Sequence, residues 1–269
     1  MTSDPPRQRN ELAALRAFWT TSLAAEMEYP LNFVIELVSV LGNLAGSPFV
    51  LSLFYGPGRD LGGWSWEAAL VVLGVYTLLD GITTALLQPY LSTIVKHVQL
   101  GTLDFVLLKP IDSQLWVSAR VLSPWGLPGI VMGFGLIAYG VVRAGAGLGA
   151  AGLAVALPLL LASVLILYSL WFVLAATSIW FVKVWNATEV LRSTLVAGRY
   201  PISAYPVALR AFFTFVLPVA FLTTVPAEAL LGRGSGAWTG ASLAVALAAL
   251  VASRWFWRFA LRFYTSASS

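Results

Sequence analysis

The chain has 269 residues, of which 59% are hydrophobic and only 10% are charged, which excludes an ordinary soluble domain with about 25% charged residues. It has no cysteine, and this excludes disulfides, thiolate metal sites and cysteine nucleophiles. The net charge of +4 is explained by basic residues that orient a membrane protein, so we expect a lipid bilayer and no nucleic acid as partner.

Residues 1–29 are predicted to form a cytoplasmic leader with an interfacial helix. Leu12, Leu15, Trp19 and Leu23 recur at i, i+3, i+7 and i+11, which places them on one helical face. Such an amphipathic helix would lie in the membrane interface before the first span. The start has no basic region running directly into a short apolar core, so it does not resemble a cleavable signal peptide.

Long apolar runs predict the membrane spans. The five clearest runs cover residues 31–55, 67–90, 121–142, 148–182 and 237–253. Because a helix rises about 1.5 Å per residue and the hydrocarbon core is about 30 Å thick, about 20 apolar residues cross it. We therefore expect an all-α polytopic membrane protein with a single transmembrane domain over residues 1–269. Its bundle would occupy residues 30–257 and its cytoplasmic tail residues 258–269.

The positive charges predict that both termini lie in the cytoplasm. With the N-terminus inside, ten Lys and Arg residues fall in cytoplasmic segments and three in external loops. Arg192, Arg199 and Arg210 are ambiguous, but they do not reverse this balance wherever they lie. Two cytoplasmic termini require an even number of crossings, and six transmembrane helices fit best.

The fifth span has two candidates. Residues 211–225 are the more apolar choice, but the segment is short and contains Pro218, which fits a re-entrant element equally well. Residues 185–200 carry Glu189 and Arg192 at i and i+3. A bundle interior or polar cavity could tolerate these two charges because they can pair. Composition alone leaves both candidates open.

Two acidic residues interrupt otherwise uncharged spans. Asp80 lies near the middle of its run, whereas Glu36 lies closer to the cytoplasmic end. A charge at mid-membrane costs about 3 kcal/mol on insertion scales, so each side chain should face protein or water. Asp80 is therefore a candidate for lining a cavity as well as for packing, and the role of Glu36 stays open.

Two glycine pairs have the small-xxx-small spacing that lets membrane helices approach closely. They are Gly42/Gly46 in the first run and Gly129/Gly133 in the third. With 23 glycines in the chain, such spacing also arises by chance, so the pattern is weak evidence for close helix pairs.

Enzyme signatures are absent from the sequence. The single histidine, His97, has no second His or Cys nearby, so we expect no metal site. No lysine follows glycine as a GxxxxGK[ST] phosphate loop requires, so the chain cannot hydrolyse ATP by that mechanism. We expect no catalytic residue, no metal and no cofactor on this chain.

Residues 96–116 connect the second and third predicted spans on the cytoplasmic side. Leu100, Leu103 and Leu107 have the spacing of one apolar face on a short helix that stops before Pro110. A short amphipathic helix displayed to the cytoplasm favours docking against a partner protein. The alternative is a helix that rests on the membrane surface.

Two segments resemble the type-2 ATP-binding-cassette (ABC) permease superfamily, especially its small bacterial exporter branch with paired membrane subunits. The segment GTLDFVLLKP, between spans two and three, looks like the coupling helix of that family. The segment GRYPISAYPVALRAFFTFVLPVAFLTTVPAEALLG, residues 198–232, is similar to the block in which span five ends and two re-entrant helices precede span six. Together with the predicted spans, the resemblance covers nearly the whole chain.

The resemblance implies a definite architecture. It favours residues 185–200 as span five and residues 205–225 as a re-entrant external hairpin before span six. The hairpin residues that match the family order include Tyr205, Pro206, Arg210 and Pro218. Spans two and five would line the pathway, and the side chains implied to face it are Asp80, Asn186, Glu189 and Arg192.

The resemblance also implies a function and partners. The chain would be the membrane-spanning permease subunit of an ATP-driven exporter in the bacterial cytoplasmic (inner) membrane. It would pair with a second membrane subunit, identical or paralogous, and with two cytoplasmic ABC ATPase subunits that carry the ATP and Mg. The implied ATPase-coupling residues are Leu100, Gly101, Leu103, Asp104, Leu107, Lys109 and Pro110.

Two other classes of protein remain open at this point. An ion-coupled secondary transporter would work without an ATPase, but the chain has no internal repeat and few intramembrane charges. A non-transporting membrane anchor subunit is the other class, and the polar residues of span five argue weakly against it. The substrate is not indicated, because a pathway with both Glu189 and Arg192 predicts neither cations nor anions.

Overall fold

The computed structural model describes residues 30–56, 60–108, 112–114, 123–146, 149–181 and 185–264. The predicted interfacial helix in residues 1–29 lies outside the described residues, as do Lys109 and Pro110. Within the described ranges the chain is helical and forms no strand, which confirms the all-α prediction.

The helices follow one another with short connections. In chain order they are α1 (Pro30–Ser52), α2 (Trp66–Gln99), α3 (Asp104–Leu107), α4 (Leu127–Arg143), α5 (Ala150–Ala176), α6 (Trp185–Leu195), α7 (Val207–Val216), α8 (Ala220–Leu230) and α9 (Gly236–Leu261). In the described part of the chain, α1, α2, α4, α5 and α9 are long and apolar enough to cross a membrane, and the bent pair α7–α8 could count as a sixth span. The chain is therefore a multi-pass membrane protein.

Helix α2 is the central and longest helix of the bundle. Ser65 caps its start by accepting a hydrogen bond from the Ala68 amide, and the acidic Glu67 in the first turn suits the helix dipole. The helix runs for 34 residues, or about 50 Å, and includes a π-helical stretch at Thr83–Leu87. This length exceeds the roughly 30 Å hydrocarbon core, so α2 is long enough for its end and α3 to extend beyond a membrane.

Glycines bring α2 and α4 into close contact. A Cβ atom on Gly133 of α4 would lie 2.5 Å from the Leu78 amide nitrogen, and one on Gly81 of α2 would lie 2.6 Å from the Ile130 nitrogen. Gly129 also faces the Gly81 backbone at contact distance. The Gly129/Gly133 spacing seen in the sequence therefore marks a close helix pair, as membrane helices commonly use.

Helix α1 contrasts with α2 in its burial. Only 6% of its most apolar window is buried within the chain, against 78% for α2. A methyl group placed on Gly42 or Gly46 of α1 would meet no atom within 4 Å. This second glycine pair does not mark a close helix contact within the described part of the chain.

Helices α5, α8 and α9 complete the core. The Phe172 ring of α5 packs edge-on against Trp257 of α9, with 5.3 Å between ring centroids. The Ser163 hydroxyl of α5 donates a hydrogen bond of 3.0 Å to the Phe221 carbonyl of α8. Helix α8 is thereby held inside the bundle beside α2 and α5.

Helices α7 and α8 form a sharply bent pair. Their axes differ by 78° across a break at residues 217–219. Leu217 is extended and Pro218 follows it, so no amide is available there to continue the helix. Such a bend is expected of the predicted re-entrant hairpin and of a broken span alike, and the choice of α6 as span five stays a prediction.

Candidate functional site

A cavity of about 30 Å³, with a mostly apolar lining and two charged side chains, lies inside the bundle between α2, α5, α6 and α8. It brings together Asp80 and Arg192, which the family resemblance assigned to the two spans expected to line a pathway. The polar or amphipathic side chains that line it are Tyr76, Asp80, Thr83, Trp171, Arg192 and Thr223. Because these groups are held within an apolar bundle, they are the leading candidates for a functional site.

Asp80 is balanced by arginines rather than by one direct partner. The charges of Arg192 and, more weakly, Arg199 act on its carboxylate, although neither forms an ion pair with it among the described residues. The π-helical stretch Thr83–Leu87 begins three residues after Asp80. Such stretches often occur at functional sites, because they turn side chains away from the regular helical positions.

Arg199 extends this charged network to α1 and was not identified from the sequence. Its guanidinium carbon lies 5.1 Å from the centre of the Tyr76 ring, within cation–π range. Its Nη2 donates a hydrogen bond of 3.3 Å to Asn43 Oδ1, whereas its buried Nε has no partner among the described residues. The available signal was spacing, because Arg192 and Arg199 are seven residues apart and lie about two helical turns from each other.

Trp171 was also missed, because a tryptophan in an apolar run suggests only packing. Its side chain is 4% exposed and lines the cavity. Its indole nitrogen, Nε1, donates to no acceptor in the described part of the chain. An indole N–H can only donate, so a residue that lines the cavity has a buried hydrogen-bond donor without an acceptor.

Glu189 does not share the cavity with Arg192. It is exposed and lines a separate open pocket with Val190, Ser193 and Thr194. Glu189 and Arg192, which the sequence would allow to pair, form no ion pair among the described residues. Arg192 lines the cavity with Asp80, whereas Glu189 stays on the open side of α6. The Asn186 side chain lies outside the described atoms, and pathway roles for Asn186 and Glu189 stay predictions.

The predicted coupling segment, residues 100–110, is described over residues 100–108. Gly101 has φ +64°, a left-handed conformation that favours glycine, and it separates the end of α2 from the four-residue helix α3. Across this turn, His97 Nδ1 and Thr102 Oγ1 lie 2.8 Å apart. The segment is therefore a turn with a short helix, rather than one continuous amphipathic helix.

This turn changes which side chains face outward. Leu103 is 0% exposed, so the predicted apolar face of Leu100, Leu103 and Leu107 is wrong in its central member. The i, i+3 relation of Leu100 and Leu103 is lost because Gly101 breaks the helix between them. The large apolar side chains that this segment exposes are Leu100, Phe105, Leu107 and Leu108.

A polar clamp attaches the residues after the coupling segment to α9 and α5. Arg254 of α9 donates two hydrogen bonds to the Asp112 carboxylate, one from Nη1 to Oδ1 at 2.6 Å and one from Nη2 to Oδ2. Gln114 accepts a bond of 3.4 Å from Arg254 and donates one of 3.2 Å to the Tyr168 hydroxyl of α5. Two parallel bonds fix the geometry of such a pair as well as its charge.

Further contacts hold both sides of the coupling segment to the end of α9. Trp257, which is 1% exposed, donates a hydrogen bond of 3.0 Å from Nε1 to the Ser113 hydroxyl. Burial raises the pKa of the Tyr264 hydroxyl, and the neighbouring Asp104 carboxylate adds to this shift. A movement of the coupling segment would therefore reach α9 directly.

A comparison with protein families decides the class. A family model described as "ABC-2 family transporter protein" matches residues 41–268, which is more than half of the chain. The chain belongs to the ABC-2 transporter family. No curated protein matches the chain, and no solved structure matches it.

Membership of the ABC-2 family confirms the resemblance to type-2 ABC permeases that residues 101–110 and 198–232 indicated. An ABC-2 family protein of this kind is the membrane subunit of an ABC permease, and the family implies an ABC ATPase as its partner. The cavity and the exposed apolar segment are therefore both features of an ABC permease membrane subunit.

The bent α7–α8 pair of this ABC-2 protein is tied to the end of α6. The Tyr205 hydroxyl donates a hydrogen bond of 2.9 Å to the Ala197 carbonyl, and Arg210 Nη2 donates one of 2.9 Å to the Ser203 carbonyl. The two predicted prolines stand just before α7 and at the corner between α7 and α8. The four hairpin residues therefore shape one local structure, and their role in transport stays a prediction.

Proposed function

We propose that the chain is the membrane-spanning subunit of an ATP-driven exporter, in which it forms half of the translocation pathway and a separate ABC ATPase supplies the energy. Family membership supports the class. The observation that carries the proposal lies on α2, which has a charged cavity in its membrane part and an exposed apolar segment at its far end. One long helix would thus connect the substrate site to the segment that docks the ATPase.

The exposed apolar side chains support ATPase docking. Leu100, Phe105 and Leu108 surround a turn that the length of α2 carries beyond the hydrocarbon core. An exposed apolar cluster in such a place is typical of a protein interface. Leu103 would act from inside by positioning the turn, and Gly101 would allow its left-handed conformation.

The mechanism follows from the two connections of the coupling segment. ATP binding and hydrolysis on the partner, with its Mg, would move the segment. The movement would pass along α2 toward Asp80 and through the Asp112–Arg254 bonds toward α9. Rigid-body tilting of these helices would then alternate access to the pathway.

The arrangement in the membrane is also part of the proposal. Both termini would lie in the cytoplasm of a bacterium, with two membrane subunits and two ATPases in the complex. The low burial of α1 supports a further membrane subunit, identical or paralogous, because its apolar surface is not covered within the chain. The open side of α6, with Glu189, would face the same interface.

A triple substitution tests the docking surface. Replacing Leu100, Phe105 and Leu108 by serine should abolish copurification of the ABC ATPase that the wild-type chain retains, while insertion and thermal stability stay unchanged. Burying one such side chain is worth about 1.5–3 kcal/mol, so losing three should weaken binding at least about a hundredfold. Leu103 is left intact because its burial would confuse binding with folding.

Leu53→Ser is the matched control, because Leu53 is an exposed leucine between α1 and α2, at the other end of α2 from the coupling segment. It should bind the ATPase as the wild type does. Normal copurification of the triple variant would contradict the docking surface. Full pumping by vesicles that contain this chain and no ATPase would contradict the proposed class and favour an ion-coupled carrier.

A further inference from the structure

The charge network around the cavity has an excess of positive charge, although the two charged residues that line the cavity, Asp80 and Arg192, balance each other. The network contains one carboxylate, Asp80, and two guanidinium groups, Arg192 and Arg199. The balance is therefore +1 when Asp80 is ionised and +2 when it is protonated. In either state, a bound group that carries negative charge would lower the electrostatic energy of the site.

The cavity also has an excess of hydrogen-bond donors. Among the described residues, Trp171 Nε1 is buried and donates to no acceptor, and Arg192 makes no hydrogen bond; both residues line the cavity. Arg199 Nε is also buried without an acceptor, but Arg199 lies outside the lining and bonds Asn43 through Nη2. The two threonines do not relieve this excess. Thr83 donates its hydroxyl to the Leu79 carbonyl at 2.7 Å, and Thr223 donates to the Val219 carbonyl at 3.4 Å.

Buried donors without acceptors are costly, at about 1–3 kcal/mol each and more when charged. In a membrane this cost is not reduced by bulk water. A ligand that supplies acceptor oxygens would recover it, and oxygens with negative charge would recover most. The chemistry of the site thus selects for a carboxylate or phosphate group.

The size of the cavity limits what it can hold. Its volume of about 30 Å³ exceeds the roughly 10–15 Å³ that one water needs but is far below the roughly 300–1,000 Å³ of pockets for whole drug-sized molecules. A single small charged group fits these limits better than an entire substrate.

We propose that the cavity binds one anionic oxygen group, a carboxylate or phosphate, through Arg192 and the Trp171 indole N–H, with Arg199 supplying further positive charge. The group would belong either to a transported molecule or to an anionic lipid headgroup. Only the identification with a transported molecule rests on the proposed function, since the binding site itself requires no ATPase.

Thermal unfolding of the purified chain in neutral detergent tests the site. The probes are inorganic phosphate and acetate at constant ionic strength, and micelles that contain phosphatidylglycerol. A ligand that binds the folded state raises the unfolding temperature with concentration. We expect at least one probe to do so for the wild type and for Arg143→Gln, an exposed arginine outside the cavity that serves as control.

Two variants test whether the probe binds at the cavity. Trp171→Phe removes the indole donor and keeps an aromatic ring, and Arg192→Gln removes the cavity charge. Each should weaken the apparent affinity for the active probe at least about tenfold, as expected for a lost hydrogen bond to a charged group. If Arg192→Gln does not fold, Trp171→Phe decides alone.

The outcomes separate the sources. A shift with phosphate or acetate indicates a free anionic group, and a shift with phosphatidylglycerol alone indicates a lipid headgroup. No shift with any probe, or an unchanged shift in the folded cavity variants, would overturn the proposal. Because the measurement involves no ATPase, its failure is distinguishable from a failure of ATPase docking.

Discussion

Helix α2 packs differently on its two sides, closely against α4 and across a cavity toward α6. Toward α4 the helix presents Gly81 to Gly129 and Gly133, and the two backbones lie in close contact there. Toward α6 the same helix presents Asp80 to an arginine across a cavity. The glycine side has no room to rearrange, whereas the polar side has both space and unsatisfied donors.

This difference indicates which side moves. Close backbone packing has one arrangement, because any sliding brings side chains against the neighbouring helix. On the α6 side, the charged side chains attract one another without a direct ion pair. They can therefore change partners at a lower cost in free energy. We therefore expect α2 and α4 to move as one body and α6 to move relative to them.

The glycine side gives the largest expected effect on stability. Gly133→Ala would place a methyl group 2.5 Å from the Leu78 amide nitrogen, and such overpacking costs about 1–3 kcal/mol or more. Gly135→Ala is the matched control on the same helix, because nothing lies within 4 Å of its methyl position. It should be neutral or stabilising by up to about 1 kcal/mol, the helix propensity gain of alanine.

Thermal unfolding in detergent measures both alanine variants. A clear fall of the unfolding temperature for position 133 and none for position 135 is the expected result. Equal unfolding temperatures for the two variants would mean that α2 and α4 are not in close contact.

A substitution on the α6 side of α2 should affect transport more than stability. Asp80→Asn keeps the side-chain shape but leaves Arg192 and Arg199 without their balancing carboxylate. We expect transport to fall at least about tenfold, as for a lost interaction of about 1.4 kcal/mol, while the amount of assembled complex stays similar. Export of a substrate found by screening the deletion strain provides the measurement.

Asp60→Asn is the control for this charge change, because Asp60 is exposed in the loop before α2. It should transport normally. An unchanged export rate for Asp80→Asn would mean that Asp80 serves only in packing, and that the α6 side of α2 has no special role in transport.

If the α6 side of α2 moves, the movement must be connected to the coupling segment. The variant that tests this connection, Arg254→Gln, should have the smallest effect on stability. Arg254→Gln removes the bidentate pair with Asp112, whose side chains are 37% and 28% exposed, so the stability loss should be about 0–1 kcal/mol. The number of molecules exported per ATP hydrolysed should fall, because α9 no longer follows the segment.

Arg258→Gln is the matched control one turn further along α9, where the arginine is exposed. Its transport-to-hydrolysis ratio should equal that of the wild type. If Arg254→Gln shows the same ratio too, the clamp does not transmit the movement, and α2 alone must connect the ATPase to the cavity.

Much of the fold could be predicted because a helix that crosses a membrane needs a continuous apolar stretch of sequence. A run of about 20 apolar residues is sufficient to indicate a span, and the runs around Asp80 and before Arg254 correspond to α2 and α9. The family resemblance also assigned Asp80 and Arg192 to the two spans expected to line a pathway, but their meeting at one cavity was not predicted. Both residues carry charge where charge is costly, so they stood out without a structure.

Other parts of the site could not be predicted from local pattern. Leu103 has the spacing of an exposed helical face, yet one left-handed glycine before it turns it into the core. Trp171 is an ordinary aromatic residue in an apolar run, and only its unpartnered nitrogen in a cavity distinguishes it. These outcomes depend on where the chain turns and on what lies opposite each side chain.

The sequence by itself determined that this protein lies in a membrane as a helical bundle, because hydrocarbon demands long apolar helices with satisfied backbones. It also determined the ABC-2 family, through residues that are contiguous in the chain. Only the tertiary structure decided which charges meet. Asp112 and Arg254 are 142 residues apart, and Asn43 and Arg199 are 156 apart, so no local periodicity records their contact.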